Sequence, residues 1–193
     1  MNFPEIILAS ASPRRSQLLG ELGVKFRVVT ANTEEAHNEQ YTTREICQLN
    51  AGRKAAAVAA LHPAEIVLGA DTLVALEGRL YGKPRDLPGA RRMLGELQGR
   101  THEVVTGVCI VRLRPARRTV FAVTTEVTFH PLTAAQIDRY LAKTQPLDKA
   151  GAYGIQDHGD LIVARISGSY SNVVGLPQER MREELGHWAA EPV

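Results

Sequence analysis

A mixed α/β fold is predicted for this chain, and three observations carry the prediction. Two short apolar runs, at residues 6–8 and 66–68, read as strands buried on both faces. Segments with helical spacing of apolar residues follow them, several opened by a good capping residue. Two long β-rich stretches, residues 101–113 and 119–130, are joined by a short basic link. Long antiparallel hairpins set among helices imply a mixed sheet and not a regular βαβ array.

Residues 5–9 form the first strand; Ser12 then suits an N-cap, Pro13 the first helical position, and Leu18, Leu19 and Leu22 recur at helical spacing until Gly23. Residues 26–29 read as a second strand, ending in a loop with Glu34 and Glu35. Thr42 with Glu45 makes a capping box for an alanine-rich helix that runs to His62-Pro63. Residues 65–76 give the strongest strand signal, and Glu77-Gly78 reads as the hairpin turn that follows. Asp86 caps the next helix, whose Ala90, Met93, Leu94 and Leu97 form a core-facing stripe. After the long hairpin, Thr133 and Gln136 open another helix through a capping box. Beyond it come a loop at 146–156, a strand at 161–166, a polar turn at 168–172 and a final helix ending near Trp188.

At 193 residues and 44% hydrophobic content, the chain supports one substantial core or two closely joined lobes, and residues 1–193 are expected to form one domain. A formal charge of +2 supplies no broad basic field for nucleic acid or an anionic membrane, so a small ligand is expected. Cys47 and Cys109 are too few and too far apart for a disulfide framework and read as buried thiols in a reducing compartment. No run of eighteen apolar residues occurs, and no basic leader precedes the first strand. A soluble cytoplasmic protein is expected.

The chemistry begins at residues 8–16, where Ser10, Ser12, Arg14 and Arg15 surround the strand-to-helix turn. The first N–H groups of a helix lack internal partners and favour an anion, and arginine's planar fork matches phosphate. An ordinary capped helix with solvated arginines is the plain alternative. Asp71 interrupts a run that should be buried, so it must pair with a cation, bind a metal or line a cleft at a strand end. A turn cap with Thr72 is the competing explanation, weakened because Leu73-Val74 resumes the strand. Lys54 stands among alanines short enough to let it reach another element, although a solvated helix lysine is commoner. Lys83 sits in the constrained sequence Gly82-Lys83-Pro84. For Asp148, Lys149 and Tyr153 two readings stand: a self-paired loop, or one wall of a nucleotide pocket.

Taken together, LASASPRRSQLL at the start, the acidic loop at Glu35, GRKA around Lys54, GADT at Asp71, GKPRD at Lys83, DKAGAYGIQ and GSYSNVVGLP resemble the Maf family of nucleoside triphosphate pyrophosphatases. The resemblance covers almost the whole chain. It implies a curved mixed sheet flanked by helices, with two lobes and a central cleft, similar to the inosine triphosphate pyrophosphatase superfamily. It also implies hydrolysis between the α and β phosphates with Mg²⁺ or Mn²⁺, and commonly a homodimer. Carried over residue by residue, Asp71 would be the general base, with Glu35 and Asp71 at the metal. Lys54, Lys83 and Arg15 would bind phosphate oxygens above Ser10. Arg14, Thr72 and Gln156 match the pattern linked to dTTP and UTP, and the Gln156 amide offers the donor and acceptor that a uracil or thymine edge requires.

The competing classes are a non-catalytic nucleotide-binding regulator of septum formation and, within the enzyme class, a 7-methyl-GTP pyrophosphatase. A pure binding module has no need of a base and a metal carboxylate together. A nucleic-acid binder would want stacking aromatics, which make up 5% of this chain. The six histidines show no ligand spacing for zinc.

Overall fold

The structure is a computed structural model and describes residues 3–34, 36 and 40–190. Strand β1 (Ile6–Leu8) leads to helix α1 (Pro13–Glu21), β2 (Phe26–Val28), α2 (Thr43–Leu61), β3 (Ile66–Leu76) and β4 (Arg79–Tyr81). Then follow α3 (Leu87–Leu97), β5 (Thr101–Leu113), β6 (Ala116–Phe129) and α4 (Ala134–Leu141). Three single-turn segments, β7 (Val163–Ser167), α5 (Tyr170–Val174) and α6 (Gln178–Ala190) complete the described chain. The strands form one mixed seven-stranded sheet in the order β2-β1-β3-β5-β6-β7, with β4 paired to β3. Strands β2, β1 and β3 are parallel, whereas β4 runs antiparallel to β3 and β7 antiparallel to β6. Among the described residues no helix is long and apolar enough to cross a membrane.

The chain divides into two compact units. The first comprises Met1–Asp71, Thr106–Val123 and Gly175–Val193, and the second Thr72–Val105 and Thr124–Val174. In the first, Ala51, Ala55, Val58 and Ala59 of α2 pack on Ile7, Val67, Cys109 and Val111. Small residues let this helix lie almost against the strands. A Cβ on Gly69 would stand 2.3 Å from the Ala51 carbonyl oxygen, and one on Gly107 2.3 Å from the Cys47 carbonyl carbon. Both cysteines are buried free thiols. The second unit has its own core, in which Leu94 and Leu97 of α3 and Ile137 and Tyr140 of α4 meet Val104, Val127 and Phe129.

Three of the predicted side-chain caps hold. Thr42 with Glu45 and Thr133 with Gln136 form reciprocal capping boxes, and the Asp86 carboxylate accepts from the Gly89 N–H at 2.6 Å. The Glu77-Gly78 turn has both residues at positive φ, 51° and 81°, the combination a tight hairpin needs. Three boundaries differ from expectation. Strand β6 begins at Ala116, so Arg117 and Arg118 lie in the strand and not in the basic link expected before residue 119; the Arg117 guanidinium rests 4.3 Å from the Trp188 ring centroid. Strand β7 starts at Val163 because residues 159–161 form a single helical turn entered through His158 at φ 55°. The expected polar turn at 168–172 contains the start of α5, whose Asn172 N–H bonds the Ser169 hydroxyl at 3.2 Å as a local cap.

The close approach of α2 makes Gly69 and Gly107 sensitive positions. Gly69→Ala and Gly107→Ala should each lower unfolding free energy by roughly 2–3 kcal/mol, because the methyl must displace backbone. Urea titrations with unchanged slopes would read this, and midpoints equal to wild type would show that α2 can move away cheaply.

Candidate active site

The carboxylate that interrupts β3 is met by α2. Asp71 is 5% exposed, and its two oxygens take different partners. Lys54 Nζ lies 2.6 Å from Oδ1, and Asn50 Nδ2 donates to Oδ2 at 3.1 Å. Asn50 and Lys54 stand four residues apart, one helical turn, so the same face of α2 delivers both. A buried carboxylate is destabilising unless its charge and lone pairs are met, and this helix face meets both requirements. Asn50 was not singled out from the sequence. Its signal was there: a polar residue one turn before Lys54, within the apolar spacing of Ile46, Cys47, Ala51 and Ala55.

The acidic loop is tied to that same helix face on both sides of Glu35, which itself falls outside the described residues. Asn50 Oδ1 accepts the Ala36 N–H at 2.7 Å, and Arg53 Nη1 donates to the Glu34 carbonyl at 3.3 Å. Asn50 thus joins the loop to Asp71. Among the described residues no cluster of three or more His, Cys, Asp or Glu side chains could hold a metal. The donors that remain are hard oxygens, Asp71 and the adjoining acidic loop. One or two carboxylates completed by phosphate and water are what Mg²⁺ or Mn²⁺ accepts, so the residue set fits such an ion.

The strand-to-helix turn is built differently from its sequence pattern. Ser12 has the extended N-cap conformation, with φ −70° and ψ 116°, but its side chain caps nothing. Ser10, buried in the turn, does the local work: its hydroxyl accepts the Ser12 N–H at 3.3 Å and the Arg15 Nη1–H at 3.0 Å. Arg15 Nε also donates to the Gly175 carbonyl at 3.0 Å. Arg14 is half-buried in the same first turn. Ser10, Arg14, Arg15, Lys54 and Asp71 all belong to the first unit.

Thr72, Lys83 and Gln156 belong to the second unit. Thr72 is half-buried in β3. Lys83 is exposed and lines a groove of about 480 Å³ with Arg79, Arg85, Asp86 and Arg92. Gln156 is exposed on the loop after α4. Within that loop Lys149 pairs with Asp148 and Asp157, which favours the self-paired reading over a pocket wall for this lysine. Tyr153 is buried, and its hydroxyl lies 2.8 Å from His102 Nε2. The His102, Phe129 and Tyr153 rings pack edge to face with centroids 4.7 to 5.5 Å apart. Burial pushes the His102 imidazole down to about 4 and the Tyr153 phenol up.

The family model for Maf-like proteins matches residues 5–188. A dTTP/UTP pyrophosphatase of Bacillus cereus is 47% identical over 184 residues, covering 95% of this chain and 90% of the relative. One of Akkermansia muciniphila is 46% identical over 175 residues, covering 91% and 92%. Among solved structures, the Ham1 protein of Staphylococcus aureus superposes with a TM-score of 0.53 at 16% identity, covering 95% of this chain and 99% of that one, a likeness of fold.

Two outcomes are expected. Lys54→Met should destabilise by about 2 kcal/mol by stranding the Asp71 charge, and adding Asp71→Asn should recover most of that loss. A double-mutant cycle in urea measures it, and strictly additive effects would remove the pair as a stabilising unit. His102 gives a pH dependence. An unfolded histidine takes its proton near 6.5, the buried ring only near 4, so the folded state binds fewer protons in between. Its contribution is therefore fully present above about pH 6.5 and is lost as pH falls to about 4, roughly 3 kcal/mol in all. Comparing the pH dependence of unfolding for wild type and His102→Gln isolates it; equal slopes would place the acid sensitivity elsewhere.

Proposed function

The chain belongs to the Maf family, and from that premise we propose that it hydrolyses nucleoside triphosphates, chiefly dTTP and UTP, to the monophosphate and pyrophosphate. The observation that carries this reading is the buried Asp71 carboxylate held between Lys54 at 2.6 Å and Asn50 at 3.1 Å. Such a group suits a proton acceptor with a cation beside it for the phosphate. The names of the relatives supply the substrate class and favour neither a binding-only regulator nor a 7-methyl-GTP pyrophosphatase.

In this mechanism Asp71 removes the proton from the attacking water, and Asn50 keeps the carboxylate oriented through Oδ2. Lys54 and Lys83 neutralise charge on the phosphate oxygens. A phosphate that draws the Lys54 ammonium toward itself also takes neutralising charge from Asp71, which makes the carboxylate a better acceptor when substrate is present. Ser10, Arg14, Arg15 and the first N–H groups of α1 form the anion cradle. Thr72 and Gln156 act on the nucleobase, the Gln156 amide matching the O4 and N3–H edge of uracil or thymine. Asp71 and Glu35 would hold a Mg²⁺ or Mn²⁺ ion, which would supply further charge neutralisation there. A homodimer and a cytoplasmic location belong to the same proposal and rest on the family resemblance.

The test is pyrophosphate release with Mg²⁺ or Mn²⁺ from dTTP, UTP, CTP, GTP, 7-methyl-GTP and ITP. Wild type should favour dTTP and UTP. Asp71→Asn should lose at least about a hundredfold in kcat while still binding nucleotide. Lys83→Ala should weaken binding and rate together. Normal turnover by Asp71→Asn would take the base role from this residue, and no release from any nucleotide would sink the enzymatic reading.

A further inference from the structure

We propose that Lys149 is a positioning residue for base recognition, its buried ammonium pinning the chain after Gln156 and its stem supporting the chain before it. The proposal rests on the reading of Gln156 as a base-contacting residue and adds what sets its place.

Lys149 is 5% exposed, yet all three donors of its ammonium have acceptors nearby. Nζ lies 2.6 Å from the Gln145 carbonyl, 2.8 Å from Asp148 Oδ1 and 3.1 Å from Asp157 Oδ2. Asp157 is the residue after Gln156, so the ion pair pins the chain on that side. The stem of the same lysine supports the other side. A Cβ on Gly154 would fall 2.7 Å from Lys149 Cε, so the backbone at Gly154 lies directly on the lysine. Gly154 is held from a second direction by the Tyr140 hydroxyl, which accepts its N–H at 3.1 Å.

The segment so held is not one the chain would choose alone. Ala152 at φ 64° and His158 at φ 55° are left-handed residues with a Cβ, one at each end. Each costs about 1 kcal/mol or more, which the contacts between them must offset. Tyr153 is anchored by His102, and the Gly151 N–H donates to the Gly82 carbonyl at 3.1 Å. That last bond ties the loop to the neighbour of Lys83 within the second unit. Gln156 itself is exposed and makes no hydrogen bond to another described residue. A long exposed amide discriminates between bases only if the backbone beneath it is already placed, because otherwise the ordering entropy opposes binding.

The experiment is steady-state kinetics on dTTP, UTP, CTP and GTP for wild type, Lys149→Met, Gln156→Ala and the double variant. Methionine keeps most of the apolar stem and removes the buried charge, and the two carboxylates it leaves behind are about half exposed to solvent. Lys149→Met should raise KM for dTTP and UTP about tenfold with kcat within about twofold, and leave KM for CTP and GTP unchanged. The double variant should discriminate no worse than Gln156→Ala. If Gln156→Ala loses the preference while Lys149→Met keeps it, the positioning role is overturned and the base reading stands. If Gln156→Ala keeps it, the base reading fails and the inference with it. Should Lys149→Met not fold, Asp157→Asn at an exposed position decides: a smaller shift in the same direction is expected, and an unchanged preference overturns the proposal.

Discussion

A carboxylate in the middle of a buried strand constrains everything packed around it. Asp71 has neighbours in β3 that are buried almost without exception, so its charge cannot be left to solvent. The answer in this chain is a helix that comes close enough for a lysine and an asparagine one turn apart to reach both oxygens. That closeness depends on Gly69, Gly107 and the alanines of α2, where a single added methyl would meet backbone at 2.3 Å. The alanine-rich helix, the strand glycines and the polar pair are thus one device: remove the small residues and the pair cannot reach.

The second unit handles the opposite charge in the same way. A buried ammonium, Lys149, is ringed by two carboxylates and a carbonyl, and a glycine again marks where backbone lies on its stem. Both carboxylates are largely exposed, whereas Lys149 is not. The cation is therefore the fixed member, and the loop is arranged around it. A surface pair would contribute little, but a fully satisfied buried ammonium specifies one loop conformation against alternatives that would leave it unmet.

Much of this was legible in the sequence because the signals were local. Thr42 with Glu45, Thr133 with Gln136, Asp86 with Gly89, and Glu77-Gly78 each act within four residues, and each appears in the structure. Asp71 could be singled out because burial of a lone charge is improbable in any fold. Lys54 could be singled out too, but not that it pairs with Asp71, and Asn50 was missed, because the pairing of residues 50, 54 and 71 depends on the packing of α2 against β3. The missed boundaries have the same origin. Arg117 enters the strand because Trp188, seventy-one residues away, offers it a ring, and no window around Arg117 contains that fact. Residues 168–172 read as a turn by composition, but Ser169 converts them into a helix start and Asn172 is drawn inward, donating to the Val104 carbonyl at 3.0 Å.

The first turn of α1 joins the fold to the proposed chemistry. Two features there are unfavourable for an isolated helix. Its N-cap serine gives no side-chain bond to the N–H groups, and two arginines place positive charge at the positive end of the dipole. Each such charge opposes the helix by about 0.3–1 kcal/mol at an exposed end. An anion reverses both signs at once, since it accepts from the N–H groups and pairs with the arginines. Arg15 is already oriented for this by Ser10 and Gly175, through two bonds at 3.0 Å that fix the plane of its guanidinium. The ordering entropy of that side chain has been met in folding, so under the proposed function a phosphate arriving there would encounter a fixed cation and not a mobile one. In the proposed function this braced arginine is the cation that a phosphate at the start of α1 would meet, and the N–H groups left without a side-chain cap would complete its contacts.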